Sequence, residues 1–218
     1  MINYAYNFMI YLIGGPPRCG KTTLAKALSK RVGASWISTD MLEVISGRYM
    51  TKNQWSISHP YSILRRIHKS NDAFYTSLSS QKIVTLLRKQ ARATFPAIEM
   101  AIACAVADEH DLIIEGYHLE PRLANQVIKK YGKEKIKAIF LIKEDPEKFA
   151  SDVRKSTTPN DWLLVLTKQE DTFLKVGVMV AALSQRISGE AKKHQLLVCN
   201  TDQNFERQMV AAVKYFIE

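Results

Sequence analysis

Eight consecutive residues, Gly15-Pro16-Pro17-Arg18-Cys19-Gly20-Lys21-Thr22, satisfy the spacing G-x-x-x-x-G-K-[ST] of a loop that wraps nucleotide phosphates. Gly15 and Gly20 permit turns that a Cβ would obstruct, so backbone N–H groups can point inward at phosphate oxygens. Pro16, Pro17, Arg18 and Cys19 fill the loop between them, and Lys21, Thr22 and Thr23 open the following helix, whose positive end faces the same anion. Lys21 is the predicted catalytic ammonium near the β- and γ-phosphates, and Thr22 offers its hydroxyl to Mg²⁺. ATP and Mg²⁺ are therefore the expected cofactors. Cys19 reads as a small filler, oxidation-sensitive only if the helix end lowers its pKa.

Two carboxylates are placed to complete such a site. Glu115 ends the apolar run Leu112-Ile113-Ile114, and a lone carboxylate at a strand end beside a phosphate loop is positioned to hold Mg²⁺ directly or through water. Its alternative is a structural salt bridge. Asp40 follows a short strand by two residues and could accept the proton of an attacking hydroxyl. It could equally cap the next helix, with Glu43 completing a capping box, and the two roles are compatible.

The elements that must carry these residues alternate strand and helix, which predicts a doubly wound, five-stranded parallel sheet with helices on both faces. Apolar runs place strands near 8–14, 34–38, 111–116, 136–142 and 196–199. Helices are expected at 20–31, from Met41 to Ile45, over most of 60–109 with a break or fresh start at Pro96, at 121–130, 146–156, 161–188 and 203–217. Residues 47–58 are polar and read as a loop, with His59-Pro60 as a hinge. In such folds ligands sit beyond the carboxyl ends of the strands, where every polar residue named above falls.

At 218 residues the chain suffices for one domain with a substantial core, and no Pro/Gly/Ser-rich linker or repeat divides it. Met1 to Ile13 has neither a basic n-region nor a small-residue cleavage site and reads as a core strand. No apolar run is long enough to span a membrane. Cys19, Cys104 and Cys199 show no paired spacing, which points to a reducing, cytoplasmic setting. The formal charge of +10 favours anionic partners, but the basic residues form no dense block of the kind that marks a nucleic-acid tail.

The run from Ile13 to Leu24, taken with Leu112-Ile113-Ile114-Glu115-Gly116-Tyr117-His118-Leu119, resembles the small-molecule P-loop kinases, in particular 2-phosphoglycerate kinase. The E-G-x-H element is also similar to that of uridine kinase and phosphoribulokinase. The resemblance implies an adenylate-kinase-like fold, a helical acceptor-binding insertion at about 41–109 and a short lid at about 144–160. By the same resemblance Arg154 is the lid arginine that meets the transferring phosphoryl group, and Asn200 and Thr201 contact the base. His118 and Arg122 become acceptor-binding candidates, as do Arg88 and Arg92, which share a helix face at i, i+4 within the insertion.

The expected activity is transfer of the γ-phosphate of ATP to a hydroxyl of a small, anionic, 2-phosphoglycerate-like acceptor. An alternative acceptor is a nucleotide sugar or a nucleic-acid end, as in zeta-toxin-like and polynucleotide kinases. A nucleotide switch is disfavoured because no N-K-x-D element occurs, and an AAA-type motor would usually show a strand ending in Asp-Glu where this one ends in Glu115-Gly116.

Overall fold

The computed structural model describes residues 8–218; the part of the predicted N-terminal core stretch before Phe8 lies outside the described residues. Five parallel strands, β1 (Ile10–Gly14), β2 (Ser35–Ser38), β3 (Leu112–Gly116), β4 (Ile136–Ile142) and β5 (Leu197–Asn200), form one sheet in the order β2-β3-β1-β4-β5. β1, β3 and β4 read as near-continuous apolar runs because both of their faces are covered by helices. The chain leaves central β1 for β2 at one edge, returns to β3, then crosses β1 to β4. That reversal opens a crevice at the carboxyl ends of the strands. There Gly14 lies opposite Gly116, and Ser38 lies opposite Glu115.

Around the sheet run α1 (Lys21–Val32), α2 (Thr39–Gly47), α3 (Lys52–Ser58), α4 (Pro60–His68), α5 (Asn71–Ser77), α6 (Ser80–Ala107), α7 (Pro121–Tyr131), α8 (Pro146–Arg154), α9 (Trp162–Val165), α10 (Glu170–Lys193) and α11 (Phe205–Ile217). Helices α2 to α6 all fall between β2 and β3, where the sequence predicts the acceptor-binding insertion.

Three local expectations are corrected. Residues 52–58 are helical: Thr51 Oγ1 accepts from Gln54 N at 3.2 Å while Gln54 Oε1 accepts from Thr51 N at 2.8 Å, a capping box inside a segment whose polar composition suggested a loop. Helix α6 runs through Pro96 without a break, carried by the buried face of Ala91, Thr94, Ile98 and Ile102. The expected helix over 161–188 is split into α9 and α10. Asp72 of α5 accepts hydrogen bonds from Lys168 N (2.8 Å), Gln169 N (3.2 Å) and Thr172 Oγ1 (2.6 Å), which fixes where α10 starts from a point distant in sequence.

Among the described residues no helix is long and apolar enough to cross a membrane. All three cysteines are free thiols. Cys19 is fully buried in the phosphate loop, and burial pushes its thiol up to about 12. The lowered value that would have made it oxidation-sensitive is absent.

Candidate active site

The phosphate loop joins β1 to α1. Its two glycines are required by the fold as well as by a ligand: a Cβ on Gly15 would overlap the Leu141 carbonyl of β4, and one on Gly20 the Phe205 ring of α11. Both sit at positive φ (136° and 94°), as does Arg18 (65°). Gly20 caps α1 without any side-chain hydrogen bond, so the first N–H groups of a twelve-residue helix face the loop. Buried Lys21 donates from Nζ to the Pro16 carbonyl at 2.7 Å. Thr22 donates from Oγ1 to Glu115 Oε1 at 2.9 Å. Burial pushes the Glu115 carboxyl above the usual carboxylate range, opposed by the Lys21 ammonium and the Thr22 hydrogen bond.

A cleft of about 1140 Å³ opens on the α1, β4 and α11 side of the loop. Six cations line it, Arg18, Lys21, Lys26, Lys30, Lys143 and Lys148, against the carboxylates of Asp152 and Asp202. This excess suits a polyanion. Thr201 belongs to the same cleft and donates from Oγ1 to the Cys19 carbonyl at 3.3 Å and the Ile142 carbonyl at 3.1 Å, tying the loop after β5 to the phosphate loop. Asn200 is not in the lining; its Nδ2 donates to Glu144 at 3.2 Å and its Oδ1 accepts from Asp202 N at 2.9 Å.

A second cavity, of about 330 Å³, lies on the α2, α4 and β3 side. It shares Arg18, Lys21 and Thr22 with the first and adds Asp40, Glu115, Tyr61, Leu87, Tyr117 and Trp162. The phosphate loop is thus the wall between two chambers. Asp40 stands in the first turn of α2 with its side chain 71% exposed. Capping is done by Ser38, whose Oγ accepts from Met41 N at 3.2 Å, which corrects the capping-box reading of Asp40 and Glu43. The aromatic wall is held from behind: Gln90 of α6 donates to Tyr117 Oη at 2.7 Å, and Arg65 of α4 stacks on Trp162 at 4.9 Å.

Several expected residues fall elsewhere. Arg88 is bound to buried Glu120 and lies 3.8 Å from Glu190; Arg92 lies 3.9 Å from Glu120. Neither lines either cavity: Glu120, whose carboxyl is pushed up by burial against the pull of Arg88, binds Arg88, and Arg92 is more than half exposed beside it. Arg122 is exposed on the first turn of α7 and lines neither cavity. Arg154 pairs with Glu170 at 2.7 Å and stacks on Phe173 at 5.4 Å, also outside both linings. Arg18 of the phosphate loop, and not Arg154, bridges the loop to residues 156–161: it reaches Ser156 Oγ and Asp161 Oδ2, each at 2.8 Å. His118 is fully buried behind the second cavity, with Nδ1 2.8 Å from Thr39 Oγ1. His59, read as a hinge, is buried too and stacks on Trp55 at 3.7 Å.

Lys143, Tyr61 and Trp162 were not among the expected site residues. Lys143 immediately follows β4, and that strand-end position was the available signal; Tyr61 and Trp162 carry none.

The profile of the ATPase family associated with various cellular activities (AAA) matches residues 11–206. Mevalonate-3-phosphate 5-kinase of Thermoplasma acidophilum is 28% identical over 124 residues, 57% of this chain and 58% of that protein. An uncharacterized protein of Dictyostelium discoideum is 28% identical over 122 residues, 55% of this chain and 14% of that protein. The chain therefore covers less than two thirds of either relative. The structure of deoxyadenosine kinase from M. mycoides with bound dATP superposes with a TM-score of 0.50 at 11% identity, covering 96% of this chain and 100% of that one, a likeness of fold.

Proposed function

The chain belongs to the ATPase family associated with various cellular activities (AAA), and from that premise we propose that it is a kinase that moves the γ-phosphoryl group of ATP to a hydroxyl of a small anionic acceptor. One observation carries this reading: the phosphate loop separates two cavities that share Arg18, Lys21 and Thr22. Hydrolysis needs one chamber and a water molecule, whereas transfer between two bound molecules needs a second chamber on the far side of the γ-phosphate. Among the relatives, one is named as a kinase whose acceptor already bears a phosphate, and an acceptor of that kind, 2-phosphoglycerate included, suits Arg18 and Lys21 in the smaller cavity.

In this reading the loop N–H groups and the end of α1 hold the polyphosphate in the larger cleft. Thr22 and Glu115 form an all-oxygen pair that fits Mg²⁺, and a bound dication relieves the cost of burying the Glu115 carboxylate. The ion, when bound, neutralises charge on the β- and γ-phosphates. The acceptor oxygen attacks the γ-phosphorus in line, its proton passes to Asp40, and the bond to the β-phosphate oxygen breaks to release ADP. Lys21 and Arg18 meet the charge on the transferring group. Arg154, the lid arginine implied by resemblance, would have to leave Glu170 to join them.

The test is a screen with γ-labelled ATP against phosphorylated and carboxylated alcohols, nucleotide sugars and oligonucleotide ends. Label transfer to a small acid, abolished in Asp40→Asn, is expected. Hydrolysis that no acceptor accelerates would return the chain to a plain ATPase.

A further inference from the structure

Behind the acceptor cavity, α2, the α3–α4 corner and the turn after β3 bring together Glu43, His59 and His118, with Asp40 at the mouth. Both histidines are 0% exposed, and Glu43 is 9%. His118 Nε2 lies 3.4 Å from Glu43 Oε2, and His59 Nε2 lies 3.6 Å from Glu43 Oε1. His59 Nε2, His118 Nε2 and Glu43 Oε1 are all without a hydrogen-bond partner. One unsatisfied buried polar atom costs about 1–3 kcal/mol. Three in one place require a common partner.

The outer nitrogens decide what that partner is. Ser58 Oγ lies 2.6 Å from the Gln54 carbonyl, which can only accept, so the hydroxyl donates there. Its oxygen is left to accept from His59 Nδ1 at 2.7 Å. A neutral His59 with its proton on Nδ1 then aims a bare lone pair at Glu43. At His118, Nδ1 faces Thr39 Oγ1 at 2.8 Å and Asp40 Oδ1 at 3.6 Å, two oxygens able to accept a proton held there. In that tautomer its Nε2 presents a lone pair toward Glu43, which a cation between them would take. Two imidazole nitrogens and a carboxylate then converge on one place, while each imidazole is fixed by an oxygen on its far side, the arrangement found behind metal-ligating histidines. Asp40, Glu43 and His118 each offer a ligand atom within 4.8 Å of the others, and His59 stands beside this group, 3.6 Å from Glu43; an ion held by bonds of about 2.0–2.2 Å would draw them slightly together.

We propose that Glu43, His118 and His59, with Asp40 at the mouth, bind a divalent d-block cation such as Zn²⁺, at a place separate from the Thr22–Glu115 pair. The nitrogen ligands select against Mg²⁺, which takes oxygen, and the buried Glu43 carboxylate offsets part of the charge of a dication, leaving exposed Asp40 at the mouth for the acceptor's proton.

The test uses the full chain, stripped with a chelator and titrated with Co²⁺ without nucleotide. One Co²⁺ per chain with visible d–d absorption is expected, displaced by Zn²⁺. Glu43→Gln and His118→Asn should each weaken binding at least tenfold, by about the 10–100-fold seen when a metal site loses a supporting group, while Glu115→Gln leaves it unchanged. Absence of the bands overturns the proposal, as does their survival in both variants or their loss in Glu115→Gln. If a variant does not fold, wild-type protein decides alone. Zn²⁺ must shift the Nε2 ¹⁵N resonances of two buried histidines and raise Tm, and unchanged resonances reject the site.

Discussion

The two chambers that meet at the phosphate loop are built by opposite means. The larger presents backbone N–H groups, a helix end and cations carried on α1 and the strand ends. The smaller is walled by side chains from α2, α4, α6, α9 and the end of β3. Its aromatic wall is positioned from behind by residues that do not line the cavity, Gln90 and Arg65. Backbone recognition is indifferent to most side chains, so it suits the invariant part of a substrate, a polyphosphate. A wall of side chains changes with each substitution, so it suits the part by which one acceptor differs from another.

The deepest break in this division is Lys21→Ala. It should lower kcat by about a thousandfold with an unchanged circular dichroism spectrum, because it removes the one ammonium that lines both chambers from the helix start. Arg18→Ala should follow with a loss of about a hundredfold in kcat, exceeding that of Arg154→Ala. The opposite ranking in steady-state assays would hand the phosphoryl contact to the lid helix. Trp162→Ala should raise the acceptor KM by about tenfold and leave the KM for ATP unchanged; a matching rise in both would show that the chambers are not separable. The smallest effect is thermal. The raised pKa of Glu115 means that the folded protein keeps this proton to higher pH than the unfolded chain does, so stability falls as pH rises through that window. Glu115→Gln removes the loss. The variant should melt with wild type at acid pH and slightly above it near neutrality, in the absence of nucleotide and metal.

The same division explains what the sequence disclosed. The loop from Gly15 to Thr22 and the strand end at Glu115 are contiguous runs whose residue types follow from local geometry, and the sheet that carries them follows from apolar runs buried on both faces. The acceptor side did not follow. Arg88 and Arg92 stand at the spacing of an anion clamp, yet Glu120, just before α7, takes Arg88 and leaves Arg92 more than half exposed. The start of α10 is set by Asp72, nearly a hundred residues earlier, and the helix at 52–58 by a capping pair hidden in a polar run. Each depends on a partner that linear spacing does not reveal. The family match spans residues 11–206 and so takes in both chambers, while the Glu115-Gly116 ending differs from the Asp-Glu strand end expected of motors.

The Lys21 ammonium is held by the carbonyl of Pro16 five residues before it. An incoming anion must outcompete that internal mimic. A lone phosphate or sulfate, gripping only the lysine, exchanges one oxygen for another and gains little. A chain of phosphates fills the N–H cradle at the same moment and gains from every contact in it. The loop is in this sense a length gauge, in which only a chain of phosphates recovers what is lost by releasing the lysine.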